Sequence, residues 1–237
     1  LNVAFWGVKS SYKSFMLINR PSTLFPLFAD TTTLPGIGPK TAMLLSRKIG
    51  QTVLDLVFHI PISIIDRRPT IDLKSCPSHS VITVLVNIKK HIPSFFNSKK
   101  PYKVLAIYKN IEIEIIFFKP KGNYLLNILP INETVAISGK IVWFNDKIQI
   151  THPDYIVNKN KISDIPNFEP VYPLISGISS KILRRAIING ISKIPNNIPE
   201  WIPELIIKKY KWPSFKNALI NIHVPKMNTI RASYYWL

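Results

Sequence analysis

Two phenylalanines, Phe117 and Phe118, stand side by side at the end of an apolar run; Lys119-Pro120-Lys121-Gly122 follows, then Tyr124. Flat rings beside ammonium groups are the parts of a surface for unpaired nucleobases. Each stacked base is worth about 1–3 kcal/mol, and each lysine near a phosphate adds to the salt dependence of binding. The competing reading is a strand end that closes a hydrophobic core. Side chains alternate along a strand, so only one of Phe117 and Phe118 points into a core, and the other faces outward or sits on the following loop. The stretch "HIPSFFNSKKPYK" repeats the recipe with Phe95, Phe96, Lys99, Lys100 and Lys103. The candidate nucleic-acid-contacting set is therefore Phe117, Phe118, Tyr124, Lys119, Lys121, Lys99, Lys100 and Lys103.

Other chemistry is thinly represented. "GIGPKT" invites a phosphate-loop reading, but that motif needs Gly directly before Lys, and Pro39 intervenes. No nucleotide-binding motif is visible. "PGIGPKTA" matches the turn of a helix-hairpin-helix, where glycine amides at a helix start meet a DNA phosphate. A plain helix–helix turn needing glycine for its backbone angles is the favoured reading. His59, His79, His91, His152 and His223 are scattered. Cys76 and His79 form half of a zinc pair with no second half at useful spacing. No nucleophile–base grouping occurs, Cys76 precedes Pro77 without a helix start to lower its pKa, and Asp66 to Arg68 reads as a loop ion pair. No catalytic residue, metal site or cofactor site is assigned.

The chain has 237 residues with a formal net charge of +18. That length buries a core in one or two domains, and 46% hydrophobic with 19% charged residues excludes a disordered chain. The charge points to a polyanionic partner, although abundant Lys, Ile and Asn are also what an AT-rich genome produces. No run reaches the ~18 uncharged apolar residues of a spanning helix, and no signal peptide is visible. One cysteine excludes an intrachain disulfide and agrees with a cytoplasmic location. The sequence opens on Leu1, and Met16 is an alternative start.

The elements that must position these residues change in texture along the chain. Residues 1–29 lack clear periodicity. Residues 30–72 read as a helical hairpin: a helix from about Pro39 to Lys48 and a second capped by Thr52. Residues 73–158 are rich in β-branched residues and alternate. "VITVLVNIKKHI", "YKVLAIYKN", "IEIEIIFF", "ETVAISGKIVWF" and "DKIQITH" are strands, the last two joined by a turn at Asn145-Asp146, and "GNYLLNIL" is a helix between the third and fourth. That order predicts an α+β protein built on a five-stranded OB-fold barrel with helical segments on either side. Residues 159–225 are helical again, with Ile178, Ile182, Ala186 and Ile187 on one stripe opposite Lys181, Arg184 and Arg185, and a second helix over about Trp201 to Tyr210. Residues 226–237 have no readable period.

"LPGIGPKTAMLL", "TVLDLVFHIP" with "DRRP", "FFKPKGNYL", "VAISGKIVWF", "HPDY", "PVYPLISGISSKILRRAI" and "IHVP" occur in the order seen in the RecG family of bacterial ATP-dependent DNA helicases. The resemblance covers about residues 30 to 225. It implies the N-terminal wedge domain, an OB fold with flanking helices that binds branched DNA and splits the arms of a stalled fork ahead of two motor domains. It implies forked or single-stranded DNA as partner, a monomer, and a cytoplasmic, nucleoid-associated place in replication-fork reversal, recombination and repair. Phe118 and Tyr124, with Phe117 beside them, correspond to the family's base-stacking aromatics, and Lys99-Lys100 to its backbone-tracking loop. The family often carries Asn where this chain has Lys119. After "IHVPK" the family continues into a long helix and an ATP-binding motor, whereas this sequence reads "MNTIRASYYWL", as a frameshift or premature stop would leave it. ATP and Mg would belong to those motor domains. A degraded gene product without a role and an OB-type RNA-binding module are the alternatives.

Overall fold

The alternation of Ile82, Val84, Val86 and Ile88 dictates one buried face for the first long strand, and the same period of two recurs around a closed sheet. In the computed structural model, which describes residues 21–94, 100–118, 120, 123–145 and 147–226, the chain forms two compact units. One is Ile64–Glu169; the other joins residues up to Ser63 with those from Pro170 onward. Met16 and the tail from residue 227 lie outside the described residues.

The strands are β1 (Ser63–Asp66), β2 (Val81–Ile92), β3 (Tyr102–Tyr108), β4 (Ile111–Phe117), β5 (Thr134–Phe144), β6 (Lys147–Thr151), β7 (Tyr155–Asn158) and β8 (Phe168–Val171). Strands β2 to β7 form one sheet in the order β2-β3-β4-β6-β5-β7, and β2 also pairs with β5. That extra pairing, Val81↔Lys140 to Asn87↔Thr134, closes a five-stranded barrel of β2 to β6. All its pairs are antiparallel except β4–β6, which is parallel. The expected α+β class and OB-type barrel are what the chain adopts. Strand β7 continues the return of β6 along β5. The last strand expected from sequence ends at His152 and no strand is expected here, because the four residues of β7 beyond His152-Pro153 are too few to show a period. Strands β1 and β8 pair with each other in a separate two-stranded sheet.

The barrel is filled by Ile82, Val84, Val86 and Ile88 of β2, Val104 and Ala106 of β3, Ile113, Ile115 and Phe117 of β4, Val135, Ile137 and Ile141 of β5, and Ile148 and Ile150 of β6. The helix Tyr124–Ile128 contributes Leu125, and Leu129 follows it into the same core. Gly139 sits where β5 crosses Pro153: a Cβ there would lie 2.9 Å from Ile150 Cγ2 and 3.1 Å from Pro153 Cα, so a side chain is excluded. Strand β4 departs from the half-exposed pattern expected of alternating Ile and Glu. Ile116 and Glu114 are buried on its outer face as well.

The second unit is helical. Gly36, at φ +81°, makes the turn before the helix Pro39–Ser46, a conformation that glycine adopts without strain. Thr52 and Asp55 form a reciprocal capping box on Val53–Val57. In the helix Ser180–Ile191, capped by Ser179, the buried stripe is Leu183, Ala186, Ile187, Gly190 and Ile191. The expected stripe through Ile182 is therefore corrected: Ile182 is 44% exposed. Leu183 takes its place because 183, 186, 187, 190 and 191 follow the i, i+3, i+4, i+7, i+8 spacing of a single face. The next helix starts at Glu204 rather than Trp201, since Pro203 occupies the N-cap.

A buried polar chain ties this unit together. His223 Nε2 faces the Val57 carbonyl at 2.7 Å, and its Nδ1 faces the Tyr172 hydroxyl at 2.8 Å. A carbonyl only accepts, so Nε2 carries the proton and Nδ1 accepts from Tyr172. Burial lowers the His223 pKa against the opposing pull of the Val57 bond, and burial likewise lowers that of His59. Both histidines stay neutral in the folded unit at pH values where the unfolded chain, with histidines near pKa ~6.5, takes up protons. Stability is then full above that value and falls as pH drops through it. Thermal melts should show Tm dropping between about pH 7.5 and 5, by roughly 2–4 °C for each kcal/mol lost, with a shallower slope in His223→Gln.

Candidate nucleic-acid interface

Phe117 ends β4 in register with Tyr102, and the alternation that buries Ile113 and Ile115 also carries its ring inward. At 8% exposure it is a core residue, with its ring edge-on to His152. Phe118 is the next residue, one step past the strand, and it is 55% exposed. The adjacent phenylalanines thus divide as the strand period requires, and Phe118 alone of the pair offers a face to solvent. Tyr124 opens the helix Tyr124–Ile128 and is 61% exposed. Leu125 and Leu129, four residues apart, take the inward side of that turn and leave Tyr124 outside. Lys119 and Lys121, between the two rings, and Lys99 with Phe95 and Phe96 lie outside the described residues.

Lys100 is exposed just before β3. Lys103 is engaged elsewhere. Its Nζ forms an ion pair with Glu114 at 2.9 Å, and Gln149 Nε2 donates to the same carboxylate oxygen at 2.9 Å. Burial alone would raise the Glu114 pKa. The hydrogen bonds from Lys103 and Gln149, with the charges of Lys103 and Lys147, outweigh it and hold the carboxyl below its usual value. This ladder across the outer face of β3, β4 and β6 gives Lys103 a structural partner and accounts for the buried acid on β4. Phe117 and Lys103 are thus placed in core and ladder, while Phe118 and Tyr124 are both exposed.

Two residues that sequence reasoning did not single out make tertiary contacts on the barrel. His152 follows β6, and its Nε2 accepts from the Phe118 N–H at 3.1 Å. The available signal was the His-Pro pair that breaks the strand. Arg67 was grouped with a loop ion pair, and that pair does form: Arg68 Nη2 lies 2.6 Å from Asp66. Arg67 itself is only 4% exposed. Its Nε donates to Glu169, its Nη1 to Ser138 Oγ at 3.0 Å and its Nη2 to Asp154 at 2.9 Å. The guanidinium lies 5.0 Å from the centre of the Tyr155 ring, whose hydroxyl also bonds Glu169 at 3.0 Å. The cluster packs β7 and the Glu169 segment onto the outside of β5.

Cys76 donates its thiol to the Asp72 carbonyl, and its own carbonyl accepts from Trp143 Nε1 at 2.9 Å. Burial and the Asp72 charge push the thiol pKa up, which disfavours a thiolate ligand or nucleophile. Among the described residues no three His, Cys, Asp or Glu gather as a metal site, and no helix is long and apolar enough to cross a membrane.

Comparison with known proteins places the chain in a family. The model of the RecG wedge domain matches residues 32–194. The ATP-dependent DNA helicase RecG of Staphylococcus epidermidis (strain ATCC 35984) is 30% identical over 203 residues, which is 84% of this chain and 29% of the relative. RecG of Staphylococcus aureus (strain MRSA252) is 30% identical over 199 residues, 81% of this chain and 28% of the relative. The chain therefore spans less than a third of the length of these relatives. A solved structure of RecG bound to a three-way DNA junction superposes with a TM-score of 0.72 at 20% identity, covering 96% of this chain and 32% of that one. The wedge-domain match over residues 32–194, more than half of the chain, identifies the chain as a member of the RecG wedge-domain family.

Proposed function

We propose that this chain binds branched or single-stranded DNA as the wedge of a RecG-type helicase, with Phe118 and Tyr124 stacking on bases left unpaired at the branch. It does so as a monomer in the bacterial cytoplasm, in the service of fork reversal, recombination and repair. ATP and Mg would be used by motor domains outside residues 1–237. The observation that carries this reading is the division at the end of β4: Phe117 is sealed in the core while Phe118, one residue on, is exposed. An exposed phenylalanine gives up hydration free energy unless something covers it, and a base offers a flat face to do so. Lys100 adds charge for the phosphates, within a chain of net charge +18. The relatives bear the name of a DNA helicase, and the solved RecG is bound to a three-way DNA junction.

Fluorescence anisotropy with a model fork, a duplex and a single strand tests the reading over a salt series from about 50 to 200 mM. Fork and single strand should bind more tightly than duplex at every salt concentration, with log affinity falling linearly in log salt. Equal, feeble binding of all three would defeat it.

A further inference from the structure

His152 occupies an unusual position. It stands between β6 and Pro153 with φ +47°, a left-handed conformation that histidine adopts more readily than most side chains. From there it bonds the end of β4 twice. Its backbone N–H donates to the Ile116 carbonyl at 2.9 Å, and its Nε2 accepts from the Phe118 N–H at 3.1 Å. An amide only donates, so Nε2 carries no proton and the hydrogen sits on Nδ1. The imidazole lies 5.7 Å from the Phe118 ring at 37° and 5.6 Å from the Phe117 ring at 88°. One residue thus brackets the inward ring and fastens the residue that carries the outward one. The ladder between β4 and β6 ends at Ile116↔Thr151. Beyond it, the side chain supplies the acceptor for the Phe118 N–H.

We propose that His152 is a positioning residue for the stacking ring of Phe118. Its imidazole nitrogen fixes the Phe118 backbone, so the ring is preset to receive an unpaired base and less ordering is paid for on binding. The inference rests on the reading of Phe118 as a base-stacking residue. It attributes the effect to the acceptor at the ε position rather than to the ring as packing material or as a second stacking face.

Two substitutions in the 237-residue chain separate these roles. His152→Gln keeps an acceptor at about the same reach without a ring. His152→Asn also lacks the ring and suits positive φ, but its oxygen stops short of the Phe118 N–H. Binding of a fluorescein-labelled oligothymidylate should weaken roughly three- to tenfold in His152→Asn and stay within about twofold of the original in His152→Gln. The Phe118 amide resonance in ¹H–¹⁵N spectra should move in the Asn variant and hold its place in the Gln variant. The double variant His152→Asn/Phe118→Ala should bind no more weakly than Phe118→Ala alone, since residues acting through one another are not additive. Equal weakening in Asn and Gln variants, or none in either, would overturn the assignment. Should Phe118→Ala by itself leave affinity unchanged, the stacking reading fails; should it weaken binding while His152→Asn does not, only the positioning role fails.

Discussion

Phe118→Ala should weaken binding of a forked oligonucleotide by about 1–3 kcal/mol, roughly five- to 150-fold, and Tyr124→Ala by an amount in the same range. Duplex binding should change by less than about twofold, because a paired, stacked base offers no free face and phosphate contacts carry that interaction. Both rings are more than half exposed, so neither substitution opens a cavity and Tm should hold. Phe117→Ala is the informative contrast. That ring lies in the barrel core with Ile115 and Ile150, and removing it should cost about 3–5 kcal/mol of stability. Adjacent residues of the same type should thus give opposite phenotypes: lost affinity in a stable barrel at 118, lost stability at 117. Anisotropy and thermal melts on the same samples check the pair.

The largest stability loss outside the core is expected at Arg67. Arg67→Ala leaves Glu169 and Ser138 without their guanidinium partner, removes the contact to Asp154, and uncovers the Tyr155 ring. Breaking a buried pair by deleting one partner typically costs about 3–5 kcal/mol. Asp154 is half exposed and can turn to water, which moves the expectation to about 3 kcal/mol. Arg67→Lys should recover little, since one ammonium cannot reproduce a planar fork that serves three partners and lies over an aromatic ring. The same comparison at Arg68, whose ion pair with Asp66 is exposed, should leave the unfolding midpoint almost unchanged, because water screens the pair. Urea unfolding of the four proteins, Arg67→Ala, Arg67→Lys, Arg68→Ala and the unaltered chain, measures the difference directly.

The barrel was legible because its information is local. A strand such as Val81–Ile92 announces itself by β-branched residues at a period of two, and the division of Phe117 from Phe118 follows from that same period. The helix between β4 and β5 was legible because Leu125 and Leu129 return to one face. What escaped was information that needs tertiary partners. Arg67 meets Asp154 and Glu169, 87 and 102 residues further on, and nothing in "DRRP" says which arginine goes inside. Lys103 read as a phosphate contact until the pairing Lys103↔Ile116 set it diagonally opposite Glu114. The stripe on Ser180–Ile191 was read one residue too early because Ile182 and Leu183 are both apolar, and only packing chooses between them. His152 was one of five scattered histidines, and its role depends on β6 ending beside β4.

Everything proposed about function reduces to a ring just outside a sealed barrel meeting a bare base. Intermolecular nuclear Overhauser contacts between ring protons of Phe118 and Tyr124 and base protons of a bound single-stranded oligonucleotide observe that meeting directly. The account predicts such contacts at both rings, lost at 118 in Phe118→Ala and absent at Phe117. Contacts confined to sugar and phosphate neighbours of lysines, with the Phe118 and Tyr124 ring resonances unmoved by DNA, would contradict it.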